Sequence, residues 1–212
     1  MRNYVIALIM FFAASTGYSL TVTISGTITN VNDPFNIFGG TIAAGDSFSG
    51  SYTYDDTPDT VYTGTDLKQY LFTTGMNGVS IEINGLIFAT NFSNTNFLVE
   101  IHNDRASTND VFLWHSYANT ALSSTDIVVI SWYLHDNSRT ALSSTDLPNT
   151  AMDLSDWPDF NFLQIENSAG ISTYYIDGEV TVTEAVPAIP EPLSLVLCTI
   201  SIVFLSMRKI FV

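Results

Sequence analysis

One cysteine in 212 residues, Cys198, leaves no internal disulfide framework and no cysteine-based zinc site. Bases are nearly as scarce: six Lys and Arg stand against 21 Asp and Glu, a formal net charge of −15. Six bases cannot build a broad cationic face, so nucleic-acid recognition by phosphate neutralisation is excluded. Helical patterning is also missing, and no long amphipathic helix can be drawn between residues 20 and 185. Charged residues make up only 13% of the chain, whereas 46% are hydrophobic and 13% aromatic. That content supports the core of one moderate domain and argues against disorder throughout.

The two ends differ from the middle. Arg2 precedes an apolar run over residues 5–14, which has the length of a signal-peptide core and is too short to span a bilayer. Small residues Gly17 and Ser19 stand at the −3 and −1 positions of a cut before Leu20, so residues 1–19 are expected to be a secretory signal. At the other end, Pro187, Pro190 and Pro192 make residues 186–192 unfit for helix or central strand. Residues 193–207 then carry no charge, and Arg208-Lys209 follow. As a helix this run would reach about 22 Å, short of a ~30 Å hydrocarbon core, so it would insert with local thinning of the bilayer. The basic pair would stay in the cytoplasm and the acidic body would lie across the membrane.

Pro190-Glu191-Pro192, the short apolar run and the Arg208-Lys209 end, in that order behind a signal peptide, resemble the PEP-CTERM sorting tail of Gram-negative bacteria. The resemblance covers about residues 187–209, and its basic end is shorter than usual. It implies processing by an exosortase, a membrane-embedded cysteine transpeptidase-like protease. It further implies a protein tethered to the inner membrane and then released to the cell surface or to the extracellular matrix of a biofilm, with exopolysaccharide as a partner. The stretch from Gly45 to Asp56 is loosely similar to an early strand of other proteins with this tail, and carries no known active site.

Between the ends lies a body, residues 20–185. The segment 20–192 has three bases, Lys68, Arg105 and Arg139, against all 21 acids, a charge of −18. Such a charge disfavours anionic partners. Period-two alternation predicts strands over residues 20–29, 47–54, 79–83, 86–92, 97–102, 111–117, 127–134, 160–166 and 171–183. Asn84-Gly85 between two apolar runs is a type I′ hairpin signal. Asp177-Gly178 predicts a bulge or turn within the last strand. Many short strands joined by Gly, Asn and Asp predict an all-β, antiparallel β-sandwich, jelly-roll-like, with 20–29 pairing near 171–183. A repeat is also present: TALSSTD occurs at 120–126 and 140–146, each copy five residues after a histidine, and a duplicated strand-plus-loop unit is the favoured account.

Candidate sites follow from residue chemistry. His102, His115 and His135 invite a metal reading. If 111–117 and 127–134 are antiparallel neighbours, His115 falls opposite about residue 129, roughly 20 Å from His135, and the histidines stay apart. Asp55, Asp56 and Asp59, and Asp153, Asp156 and Asp159, are clustered hard oxygen donors of the kind that suit Ca²⁺. Neither set follows the EF-hand pattern, and solvated, turn-forming acids are the favoured reading. Trp157, in an acidic loop before Pro158, and Trp132 are candidates for stacking on sugar rings. In the strand around Trp132, either Trp132 and Leu134 or Tyr133 and His135 face the core, and alternation alone does not say which. No Gly-x-Ser-x-Gly elbow is present, and a non-enzymatic role is expected. The functional expectation is an exported structural or binding protein of the envelope or biofilm. The alternatives are a carbohydrate-binding module and a secreted hydrolase with two close carboxylates.

Overall fold

The computed structural model describes residues 19–120, 128–167 and 173–186. The proposed signal peptide, the Pro-rich segment with its sorting motif, the C-terminal apolar run and most of the first repeat copy lie outside the described residues. Among those described, no helix is long and apolar enough to cross a membrane.

Among the described residues twelve strands follow in chain order: β1 (Ser19–Asn32), β2 (Ser47–Asp55), β3 (Thr60–Thr63), β4 (Leu67–Phe72), β5 (Gly78–Ile83), β6 (Leu86–Thr90), β7 (Phe97–Arg105), β8 (Asn109–Ser116), β9 (Asn119–Thr120), β10 (Val128–Asp136), β11 (Phe160–Asn167) and β12 (Tyr174–Val186). They form one antiparallel sheet ordered β3-β4-β7-β8-β10-β11-β12-β1-β2-β5-β6-β9. The chain is thus all-β, and the expected pairing of the first and last strands is present over the length of β1 and β12.

The sheet curls so that its halves face one another. The ring of Tyr52 on β2 lies 5.6 Å from Trp114 on β8 and 5.9 Å from Trp132 on β10. Around this contact, Val22, Ile24, Phe48, Ile81, Phe72, Phe97, Phe112, Leu134 and Ile165 form a continuous buried cluster. A buried polar chain ties the edge of one half to the other. The Thr90 hydroxyl accepts from Val79 N at 2.9 Å and lies 2.8 Å from the Ser116 hydroxyl, which donates to Asn119 Oδ1 at 2.6 Å. Asn119 Nδ2 in turn donates to the carbonyls of Ser116 and Val128.

The Asn84-Gly85 hairpin joins β5 to β6, with φ of 49° and 84° as a type I′ turn requires. Asp177-Gly178 does not break its strand, and β12 runs through it. Opposite it, Thr29 of β1 bulges between the Ile28–Gly178 and Asn30–Asp177 pairs, and β12 has its own bulge at Thr181, between the Gly26–Val180 and Ser25–Val182 pairs. Strands β3 and β4 were not anticipated. Every residue of β3 is exposed, so it has no apolar face for alternation to register, and Lys68 interrupts the inward face of β4.

The longest connection, residues 137–159, closes one end of the fold. Ala141, Leu142, Leu147 and Ala151 pack on the core, and Met152 and Trp157 are part of it. Tyr70 and Tyr54 donate their hydroxyls to the carbonyls of Thr145 and Pro148, both at 2.8 Å. Lys68 reaches Asp146 at 2.6 Å. Thr140, which opens the second repeat copy, is in this loop, whereas Thr120, which opens the first, is in β9.

Candidate binding face

Residues directly opposite on antiparallel strands share a face. That rule and the registers define the outer surface of the half built from β4, β7, β8, β10, β11 and β12. One row across it is Gln69, Glu100, Leu113, Tyr133 and Phe162. A second is Leu67, His102, Val111, His135 and Phe160, and a third is Leu71, Leu98, His115, Ser131, Gln164 and Asp177. Rings meet along the surface: Tyr133 and Phe160 are 5.2 Å apart, Phe160 and Phe162 5.4 Å, and His115 and Tyr117 5.4 Å. Phe160 is 41% exposed. Val111 and Leu113 beneath the rings are buried, so this part of the sheet is apolar on both sides.

The polar groups of this face are held in place. Gln69 Nε2 donates to Glu100 Oε2, and His102 Nε2 lies 2.6 Å from Glu100 Oε1. Burial alone would raise the Glu100 carboxyl, but hydrogen bonds from Gln69 and His102 outweigh it and hold the group below its ordinary value. Burial pushes His115 down, and the nearby Glu100 opposes this only in part. Asp177 accepts from Gln164 Nε2 and Asn30 Nδ2, both at 3.1 Å. Asn109 Nδ2 donates to His135 Nε2 at the far end.

The histidines do not form a site together, as their spacing implied, although the register differs from the expected one. His115 lies opposite Ser131, not residue 129, and His135 lies opposite Val111. Four strand positions, or about 13 Å, therefore separate them.

The two tryptophans expected to meet sugars are core residues. Trp132 is 0% exposed and Trp157 3%. Trp132 packs on Tyr52, Phe112 and Trp114, and its indole N–H donates to Asn161 Oδ1 at 2.8 Å. Trp157 follows a 3-10 turn at Leu154–Asp156 that turns its ring inward, so neither indole presents a face to a ligand. On β10 the outward set is Tyr133 and His135.

The acidic loops are not calcium cages. Asp59 accepts from the N–H and hydroxyl of Thr73 and from the hydroxyl of Thr74. Asp55 Oδ2 accepts from Asn77 Nδ2 at 3.0 Å. Asp153 caps the 3-10 turn through Ser155, while Asp159 accepts from Asn137 N at 2.7 Å. These four carboxylates face different local donors. Among the described residues no group of three His, Cys, Asp or Glu side chains could hold a metal ion.

Sequence reasoning missed a different acidic pair. Asp110 and Asp136 are cross-strand partners at the inner end of β8 and β10, and both are fully buried. Asp110 accepts from the backbone N–H of Asp104 at 2.8 Å and of Leu142 at 2.9 Å. Asp136 accepts from the N–H groups of Ser138, Thr140 and Ala141 and from the Ser138 hydroxyl. Burial alone would raise the Asp136 carboxyl, but these donors overcome it and bring the group down to about 2. The pair anchors the start of the 137–159 loop. The available signal was an Asp closing an apolar strand directly before an Asn-Ser turn. Three shallow grooves border this loop, and the one lined by Trp157, Asp159, Asn161 and Glu179 has a volume of about 500 Å³.

Set against known proteins, the chain matches no family model, no curated protein and no solved structure.

Proposed function

We propose that this chain is an exported envelope or matrix protein of a Gram-negative bacterium, sorted through its C-terminal tail, with a body in a structural or binding role. The observation that carries the reading is the order of Pro190-Glu191-Pro192, an uncharged run over 193–207 and Arg208-Lys209 behind an apolar N-terminal segment. An exosortase-type protease in the inner membrane is the processing partner. The curled sheet with its face-to-face aromatic core and its paired first and last strands suits a jelly-roll-like sandwich of the kind that displays ligands on a sheet surface. A hydrolytic role has less support. The two carboxylates that lie side by side, Asp110 and Asp136, are covered and occupied by backbone donors, which suits anchoring rather than acid–base chemistry.

Replacing Pro190, Glu191 and Pro192 with alanine should leave the full-length protein in the inner membrane, whereas the wild type is cut and released. Fractionation with detection of the body decides this, and equal processing of both proteins removes the exosortase assignment.

A second reading, a carbohydrate-binding module, is favoured by one observation: the ring chain of Tyr133, Phe160 and Phe162 on an outer sheet face. It moves the expected stacking residues from the buried indoles to this surface.

A further inference from the structure

From the outer face of β8, β10, β11 and β12 we infer that the body binds a polysaccharide of free amino sugars, a glucosamine-type polycation, with Tyr133, Phe160 and Phe162 stacking on the rings and Glu166 and Asp177 meeting the ammonium groups. The inference rests on the carbohydrate-binding reading above and gives its ligand a class.

Three features of the face select that class. First, rings contact one another from β10 to β11, and Phe160 stands clear of the surface. A pyranose has a flat apolar side that covers such rings, whereas an extended polypeptide does not offer one repeatedly. Second, the β11–β12 end of the face carries carboxylates and no Lys or Arg. The register puts Glu100, Glu166 and Asp177 on this face, with Glu166 directly opposite Tyr175. Two of the body's three bases lie elsewhere, and Arg105, opposite Asn109, sits at the far end of the face from Glu166 and Asp177. Lys68 alternates to the inner side and pairs with Asp146, and Arg139 pairs with Asp104 beside the β7–β8 hairpin that holds Arg105. A polyanionic glycan would thus be repelled at this end, whereas a neutral one would leave the carboxylates without a charge partner. Third, an ammonium beside a ring gains from the ring's negative face as well as from the carboxylate. Asp177 is already oriented by Asn30 and Gln164, so its oxygens need little reordering to accept a ligand donor.

The test uses the full-length chain in a non-ionic detergent at mildly acidic pH. Glucosamine oligomers are titrated against their N-acetylated counterparts and poly-lysine, at low and high salt. The expected result is binding of the free amine form, at least about tenfold weaker binding of the acetylated form, and loss of affinity with added salt. The double variant Tyr133→Ala/Phe160→Ala should weaken binding about tenfold or more while its circular dichroism stays that of the wild type. Should that variant lose its fold, Glu166→Gln/Asp177→Asn serves instead, since it leaves the rings alone and should also abolish the preference for the free amine. Equal affinity for free and acetylated oligomers, poly-lysine binding that matches the glycan and survives the ring variant, or no glycan binding at all would each overturn the inference. Tail processing is read separately by fractionation. Normal processing with no glycan binding rejects this ligand and keeps the sorting assignment, and the converse result rejects only the sorting.

Discussion

The two halves of the curled sheet share one core yet turn opposite surfaces to solvent. On β1, β2 and β5 the outward rows are Thr21–Thr53, Thr23–Ser51–Ser80 and Ser25–Ser49–Glu82. Apart from Glu82 these are short hydroxyl side chains, and Thr21 and Thr53 bond to each other at 2.9 Å. On β8, β10 and β11 the outward rows hold rings, histidines and amides over a floor of buried Val111 and Leu113. The hydroxyl half presents mainly short polar side chains, with Ile87 opposite Glu82 and Val182 opposite Ser25 exposed at its margins. The aromatic half is apolar on both sides, and this is the surface on which the proposed binding role rests.

The sharpest way to break this comparison lies within one strand. Trp132→Ala should destabilise the protein by about 3–5 kcal/mol, because it empties the centre of the core and orphans the Asn161 bond. Tyr133→Ala, its neighbour, should cost under about 1 kcal/mol. Urea unfolding of both variants measures this, and similar losses would mean that β10 is not one-sided in its contribution to the core.

Next in size is the anchor that closes the aromatic half. Asp136→Ala leaves the buried N–H groups of Ser138, Thr140 and Ala141 without an acceptor, and should cost about 2–4 kcal/mol. The pH dependence has a definite sign. The folded value of about 2 lies below the ordinary 3.8, so the stabilisation is complete above about 4 and is lost as pH falls through 2. Melting curves across that window should fall more steeply for the wild type than for Asp136→Asn, and parallel curves would show that the carboxylate is not the anchor.

The smallest effect belongs to the hydroxyl face. Thr23→Val should change stability by no more than about 0.5 kcal/mol in either direction, since the side chain points to solvent from a strand that already favours β-branched residues. A larger loss in thermal unfolding would show that this face is packed against a partner, and the contrast between the halves would then shrink.

What the residues alone determined is the part that alternation and turn chemistry encode locally. Thr–Val–Thr–Ile on β1 fixes a half-buried strand with its apolar side inward, and Asn84-Gly85 fixes its hairpin because only such a pair tolerates two positive φ values. The lack of bases and of cysteine determined which partners and cross-links are excluded. Tertiary structure decided the rest wherever both sides of a strand could be core. On β10 both Trp132/Leu134 and Tyr133/His135 satisfy alternation, and only the approach of Tyr52 from the opposite half selects the first pair. Trp157 looked exposed because its neighbours are acids, yet a single 3-10 turn capped by Asp153 rotates it inward. The acids looked like clusters because they are close along the chain, while side-chain direction sends each to a different donor. Asp110 and Asp136, 26 residues apart, were invisible as a pair until the β8–β10 register set them side by side. Pairing between distant strands is a property of the whole sheet, and no local pattern encodes it.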